Sequence, residues 1–393
     1  MTDVPATVAD VSRSDWGRIV GALIRMTGDW TVAEDATQDA FATALVRWPV
    51  DGTPDNPAAW LMTTARNRAI DRLRSASAER ARAKAVSLMD SIPGTENDIE
   101  DDRLRLIFTC CHPALALPAR VALTLRTVAG LTVPEIASAF LVPETTMAQR
   151  LVRARRKIDE AGIPYRIPPA ELLGERLGGV LAVLYLVFNQ GYSTIARNEL
   201  AASALSLASS VVGLMPKEPE ARALLALLVL HNSRRDARVG PGGRLLTLEE
   251  QDRSLWHADE VARGLALLPS GEGLYSLQAR IAACHARAAT ASDTDWVSIV
   301  HLYDALLALA PSPVIELNRA IAIGMRDGPD AGLALLAGLD LDGYRWLPAA
   351  QGDLLLRAGR TAEAVARFRE AIALTPDGPE RLDLERRLAA LEL

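Results

Sequence analysis

The chain has 393 residues and a formal net charge of −6, with 49% hydrophobic and 23% charged residues. This balance excludes a disordered chain, and the length is enough for two or three domains with separate cores. The acidic total argues against a protein that binds DNA alone, because non-specific affinity comes mainly from neutralising phosphates. A DNA-binding role would have to rest on local basic patches or on a partner protein.

Composition also bounds the fold class and the compartment. Aromatic residues make up only 5% of the chain, whereas Ala, Leu and Arg are frequent, which favours an all-α fold. The chain does not open with a basic start and an apolar run, and the apolar block from Val180 to Phe188 is too short to span a membrane. Three cysteines cannot build a disulfide framework. We expect a soluble cytoplasmic protein.

A first basic helix is predicted after an apolar-periodic segment over residues 14–48. Loop signals follow at Trp48-Pro49 and Asp51-Gly52, and Asn56 and Pro57 then suit the N-cap and first position of a helix. This helix, over residues 57–84, has a local net charge of +5 from seven bases and two acids. The bases are Arg66, Arg68, Arg72, Arg74, Arg80, Arg82 and Lys84, and the acids are Asp71 and Glu79.

The sign of the charge then reverses, and a second basic helix follows. Residues 85–102 hold acids without bases around Pro93-Gly94, which predicts a flexible acidic linker. A second helical unit, 103–162, contains the stretch TVPEIASAFLVPETTMAQRLVRARRKI at 132–158, which is typical of a helix-turn-helix. Its second helix would expose polar and basic residues able to reach bases or phosphates: Thr145, Thr146, Gln149, Arg150 and Arg153. An amphipathic hairpin with a solvated basic face remains the alternative.

The remaining half, 170–393, is predicted to be helical. Small, aromatic and proline residues within 345–378 fall at the positions of a tetratricopeptide repeat: Gly352, Gly359, Ala364, Phe368, Ala371 and Pro376. Adjacent Cys110 and Cys111 suit two corners of a zinc site poorly, so buried thiols are favoured and neither metal nor cofactor is expected. His257 with Glu260, and His301 with Asp304, lack a metalloprotease pattern. We therefore expect no enzymatic site.

Read together, three segments resemble the extracytoplasmic-function group of sigma-70 factors. Residues 34–41 read EDATQDAF, residues 60–71 read WLMTTARNRAID, and residues 146–155 read TMAQRLVRAR. The first two resemble sigma region 2 and the third resembles region 4. The order, the spacing and the linker agree, and the domain boundaries implied are 10–84 for region 2 and 103–162 for region 4.

The resemblance implies a role for each matching residue. Residues Asp35, Gln38, Asp39 and Phe41 would contact the β′ clamp helices of core RNA polymerase, and region 4 would contact the β flap. The −10 promoter element would be contacted by Trp60, Arg66, Asn67, Arg68, Asp71 and Arg74, with the loop from Trp48 to Asn56 holding an unstacked base. The −35 element would be contacted by Thr145, Thr146, Gln149, Arg150 and Arg153.

The C-terminal half resembles the extension of a subfamily of these sigma factors. The phrases FTCCHP at 108–113, LYLVFNQGY at 184–192 and ELNRA at 316–320 carry this resemblance. We expect this half to regulate the first two domains, by packing on them or by binding a protein partner in a repeat groove. A stand-alone helix-turn-helix regulator with a ligand-binding or partner-binding helical half is the alternative, although only the sigma interpretation explains residues 30–75.

Overall fold

The computed structural model describes residues 4–76, 96–140, 142–193, 198–241, 244–376 and 378–392, and in these ranges the chain is helical. Pairing of β type there is limited to a bridge between Val239 and Leu245. The chain divides into two compact units, Met1–Leu214 and Met215–Leu393. The predicted all-α class is confirmed. None of the helices in these ranges combines the length and the apolar character needed to cross a membrane.

The described part of the first unit contains the helices α1 to α9. These are α1 (Val4–Thr27), α2 (Trp30–Asp51), α3 (Pro57–Ala76), α4 (Glu96–Cys110), α5 (Leu117–Thr127), α6 (Val133–Ala139), α7 (Glu144–Glu160), α8 (Ala170–Ser193) and α9 (Asn198–Leu214). Helix α1 packs on α2, α3 and α4, while α8 packs on α5 and on α9. The core of this unit therefore joins the N-terminal helices to the segment around the helix-turn-helix.

The described part of the second unit contains the helices α10 to α18. These are α10 (Pro219–Asn232), α11 (Ala258–Leu267), α12 (Leu274–Arg287), α13 (Trp296–Leu309), α14 (Pro313–Asp327), α15 (Pro329–Leu336), α16 (Trp346–Arg357), α17 (Thr361–Leu374) and α18 (Pro379–Leu391). From α12 onward each helix packs on the next one in the chain. This arrangement is the nearest-neighbour packing of a helical array.

The predicted repeat at 345–378 is a helical hairpin formed by α16 and α17. The Phe368 side chain is completely buried, and a Cβ added at Gly352 would lie 2.9 Å from its ring. Gly352 therefore lets the aromatic side chain of one helix approach the backbone of the other. Gly359 follows α16 with a φ of +73°, a left-handed conformation that favours glycine.

The N-terminal segment differs from the prediction in two places. The apolar period over 14–48 is interrupted between α1 and α2, where Gly28 takes a φ of +67° and Asp29 caps α2 by accepting from the Val32 N–H at 3.0 Å. Helix α2 then continues through Pro49 to Asp51, so the predicted loop at Trp48-Pro49 was wrong. Trp48 is buried in this last turn and packs on Trp60, with ring centroids 5.5 Å apart.

Helix α3 begins where the sequence predicts. It starts at Pro57, and the Asn56 side chain accepts a hydrogen bond from the Ala59 N–H at 3.0 Å. Its inner stripe of Leu61, Ala65 and Ala69 is fully buried. The described part of this helix ends at Ala76, and the predicted bases Arg80, Arg82 and Lys84 lie outside the described residues.

The acidic linker predicted over 85–102 overlaps α4, which begins at Glu96. Residues 96–102 are therefore helical, and residues 85–95 lie outside the described ranges. Asp102 itself is fully buried and forms an ion pair with Arg25 of α1 at 3.0 Å.

Candidate nucleic-acid interface

The helix-turn-helix consists of α6 and α7 packed on each other and on α5. Ile136 of α6 and Met147, Leu151, Ala154 and Ile158 of α7 are buried. The spacing of the four α7 residues places them on one face of the helix. The opposite face is therefore not part of this buried contact.

The predicted −35 residues lie outside this buried stripe. Thr145, Gln149 and Arg153 are exposed, whereas Thr146 and Arg150 are half-buried. The Arg150 guanidinium lies over the Phe140 ring, 5.4 Å from its centroid, so its side chain is held against α6. Arg153 donates to the Gln149 carbonyl on its own helix at 3.3 Å. The arrangement can present an amide and a guanidinium side by side, the groups that read adenine and guanine edges.

The predicted −10 residues lie on α3, which packs on α2 and α1. Asn67, Arg68, Asp71 and Arg74 are exposed. Trp60 and Arg66 are half-buried, and the edge of the Trp60 ring meets the buried Trp48. The loop available to hold an unstacked base runs over 52–56, shorter than the predicted stretch from Trp48.

Two of the predicted polymerase-binding acids are bound to an arginine of α3. Arg72 donates to Asp35 at 3.1 Å and to Asp39 at 2.8 Å, and the hydrogen bond to Asp39 is the main cause of its raised pKa. All three side chains are about two-fifths exposed, so this pairing stabilises the fold weakly. Gln38 is exposed on the same helix. The acids therefore remain accessible to a basic partner.

Phe41 requires a correction. The resemblance assigned it to the polymerase-binding surface, but it is buried and its ring stacks on Trp16 with centroids 5.9 Å apart. Along α2 it belongs to the inner face, with Ala33, Ala40 and Ala44. Phe41 therefore fixes α2 against α1 and does not face a partner.

Sequence reasoning missed a buried ion cluster in this unit. Glu34 of α2, adjacent to Asp35, is only 3% exposed. It accepts hydrogen bonds from Arg155 of α7 at 2.6 Å and from Arg126 of α5 at 3.3 Å. No local pattern indicates these contacts, because the partners are separated by 92 and 121 residues in the chain.

The cysteine pair is buried, as the sequence favoured. Cys110 lies 3.2 Å from the Thr127 hydroxyl, and Cys111 lies 3.9 Å from the Thr124 hydroxyl. Burial raises the pKa of both thiols, to about 12 for Cys111. These side chains are therefore uncharged and act as core residues. In the described part of the chain, no group of His, Cys, Asp and Glu is arranged to hold a metal ion.

Both halves of this interface match known protein families. The model of sigma-70 region 2 matches residues 16–79, and the model of sigma-70 region 4 matches residues 105–158. Over 160 residues the chain is 32% identical to a probable ECF RNA polymerase sigma factor, SigI, of Mycobacterium tuberculosis. The chain belongs to the extracytoplasmic-function group of the sigma-70 family. Members of this family bind core RNA polymerase and promoter DNA.

The relatives differ in how much of this sigma factor they cover. The SigI alignment spans 39% of this chain and 54% of SigI, so the chain matches about half the length of that relative. The ECF sigma factor SigK of Mycobacterium ulcerans is 28% identical over 35% of this chain and 76% of SigK. An uncharacterised protein of Rhizobium meliloti is 41% identical over 92% of this chain and 90% of its own length.

The extension of this sigma factor matches a family of unknown function, DUF6596, over residues 176–271. This segment runs from within α8 to the loop before α12, and so includes the boundary between the two compact units at Leu214. The match therefore distinguishes the chain from a sigma factor that consists of regions 2 and 4 alone.

Proposed function

We propose that this sigma factor directs core RNA polymerase to a two-part promoter, with α3 contacting the −10 element and α7 the −35 element. The supporting observation is the pairing of two exposed basic helices with matches to regions 2 and 4. The net charge of −6 fits this role, because the polymerase contributes affinity that an acidic chain cannot supply alone. A cytoplasmic location follows from this role.

The polymerase-binding surface proposed on α2 consists of Asp35, Gln38 and Asp39. These side chains are polar and accessible, and the two acids already bind a guanidinium group, that of Arg72. A basic surface on the polymerase could replace Arg72 at low cost, since exposed ion pairs contribute only about 0–1 kcal/mol. Such an exchange would release Arg72 toward the −10 DNA next to Arg68.

In vitro transcription with core polymerase tests this function. The full chain should start transcription at a specific promoter, and replacing Asp35 and Asp39 with Asn should reduce polymerase binding without loss of helicity. A stand-alone helix-turn-helix regulator would instead bind duplex operator DNA tightly without polymerase and would not support initiation. Tight binding of duplex DNA without polymerase, together with a lack of initiation, would exclude the sigma role.

We further propose that the second compact unit regulates the first. This proposal is supported by the extent of the helical array, which continues to Leu391 and has its own buried clusters, including Leu277 with Ile299 and Ala364 with Phe368. A chain that ends at Leu214 keeps α8 and α9. Helix α8 packs on α4 and α5, and α9 packs on α4 and α1. Compared with the full chain, it should differ in promoter activity or polymerase affinity. Equal values for both would remove this proposal.

A further inference from the structure

The second unit has a groove lined by alternate helices of its array, α14, α16 and α18. Two adjoining cavities of about 500 and 550 Å³ lie in this groove, and both have Ile321, Asp353 and Arg387 in their walls. Each helix packs on the next one, and α14 also packs on α16, so alternate helices lie on the same side of the array. Ligand sites in proteins commonly have volumes of about 300–1,000 Å³. The groove is therefore large enough to hold a ligand.

The chain itself places a segment in this groove, here called the groove loop and consisting of residues 244–251. This segment lies between α10 and α11 in the sequence. Leu245 and Leu246 form part of the wall of the larger cavity, and Leu248 forms part of the wall of the smaller one. All three leucines are only half-buried. The groove loop therefore fills the groove incompletely and leaves room for larger side chains.

Two acids of the groove loop bind arginines of the groove helices. Glu249 forms an ion pair with Arg357 of α16, and Glu250 forms one with Arg386 of α18 at 3.5 Å. These four side chains are between one-third and one-half exposed. Exposed ion pairs stabilise a fold only weakly. Glu250 also pairs with Arg244 inside the loop at 2.9 Å, so it keeps a partner when the loop leaves. Another acidic segment could therefore replace the loop at little cost.

The charge of the two cavities differs, and the difference indicates what else would bind. Apart from the groove loop, the smaller cavity is lined by four arginines and one acid, a net charge of +3: Arg253, Arg357, Arg386, Arg387 and Asp353. His285 also lines it, but burial lowers the pKa of this side chain to about 4, so it is neutral near pH 7. The larger cavity has two arginines and three acids, a net charge of −1, and an apolar wall that includes Leu317 and Leu384. The groove therefore suits a segment with leucines in one half and acids in the other.

We propose that the groove is a docking site for an acidic segment of a partner protein, in which leucines precede two adjacent acids. The groove loop, with Leu245 and Leu246 before Glu249 and Glu250, occupies this site when no partner is bound. The partner segment binds the two groove arginines in place of the loop acids, and its leucines fill the larger cavity. This inference rests on the proposed regulation by the second unit and adds the surface and the chemistry through which a partner acts.

Binding of a synthetic peptide to the full chain tests the proposal. The probe is the fluorescein-labelled peptide LLTLEEQD, the sequence of residues 245–252, and the control peptide is LLTLQQQD. In the wild-type chain the tethered loop competes with the peptide at an effective concentration of about 1 mM. Replacing Glu249 and Glu250 together with Gln weakens the loop and leaves the groove helices unchanged. Fluorescence anisotropy should then show binding of the acidic peptide that is at least about tenfold tighter than in the wild type.

A second double variant separates opening of the loop from loss of the site. Replacing Arg357 and Arg386 with Gln breaks the same two ion pairs from the side of the groove. Trypsin cleaves after Arg244 and Arg253, and cleavage at these residues follows the population of the open loop. Both double variants should therefore be cleaved about tenfold faster than the wild type. Only the variant that keeps the groove arginines should gain binding of the acidic peptide.

The matched control replaces Arg367 and Glu370, an exposed ion pair of α17, with Gln. Neither cleavage nor peptide binding should change in this control. The proposal is overturned if the folded glutamate variant does not bind the acidic peptide up to about 1 mM, or if both peptides bind it equally. Should that variant lose its helicity, Glu249→Gln alone decides, with a gain in affinity of about threefold expected. These measurements need no polymerase, so equal promoter activity of the full chain and the chain ending at Leu214 would remove the regulatory role and not the docking site.

Discussion

Replacing Arg153 with Ala should weaken promoter binding by the polymerase complex without unfolding the protein. Arg153 is exposed on α7, and its hydrogen bond is to the Gln149 carbonyl of its own helix. The free energy of unfolding should therefore change by less than about 0.5 kcal/mol. A base contact is worth about 1–3 kcal/mol, so affinity for a promoter carrying the −35 element should fall about 5-fold to 150-fold.

Fluorescence anisotropy of the polymerase complex on labelled promoter duplex, repeated at several salt concentrations, measures this change. If Arg153 contacts a phosphate, the slope of log affinity against log salt should lose about 0.9. If Arg153 contacts a base, the slope should be unchanged and the loss of affinity should depend on the −35 sequence. Arg367→Ala is the matched control, since it removes an exposed arginine from α17. Equal affinities and slopes for both variants would refute the assignment of α7 as the −35 helix.

Three further predictions concern buried groups. Phe368→Ala should lower the free energy of unfolding by about 3–5 kcal/mol in urea titrations, because the ring is completely buried; a loss below about 1 kcal/mol would contradict this packing. A thiol reagent near pH 8 should modify Cys284 in the native protein and reach Cys110 and Cys111 only after denaturation; rapid reaction of all three would show that the pair is accessible. Burial lowers the pKa of His285 from 6.5 to about 4. Between pH 4 and pH 6.5 the unfolded state therefore binds more protons than the folded state. The free energy of unfolding should rise with pH across this range by up to about 3 kcal/mol. His285→Gln should reduce this pH dependence in urea titrations near pH 5 and near pH 7, and an unchanged dependence would exclude His285 as its source.

Features set by neighbouring residues were predictable from the sequence. The start of α3 follows from Asn56 and Pro57, because capping is decided within a single turn. The buried stripe of α7 follows from its period, and Met147 and Leu151 pack as predicted. The break between α1 and α2 also had a local signal in Gly28-Asp29, which the apolar periodicity concealed.

Features set by tertiary contacts were not predictable in this way. Phe41 lies on the expected helix but faces Trp16, and the sequence does not say which face of α2 is covered. Acidity predicted a linker at residues 96–102, whereas Asp102 is neutralised by Arg25 from a different helix. The ion cluster of Glu34, Arg126 and Arg155 depends on chain segments that only the folded core brings together. The partners of these residues could be identified only from the structure.

The family segment 176–271 does not coincide with either compact unit. Its first helices, α8 and α9, lie in the first unit, where α8 packs on α5, and its α10 lies in the second unit, where it packs on α12. Helix α5 ends at Thr127 and α12 begins at Leu274, so both partners lie outside the segment. Expressed alone, it would leave two apolar faces uncovered and would be expected to aggregate. A substitution within the segment therefore changes the packing of one unit or of the other, according to the side of Leu214 on which it falls.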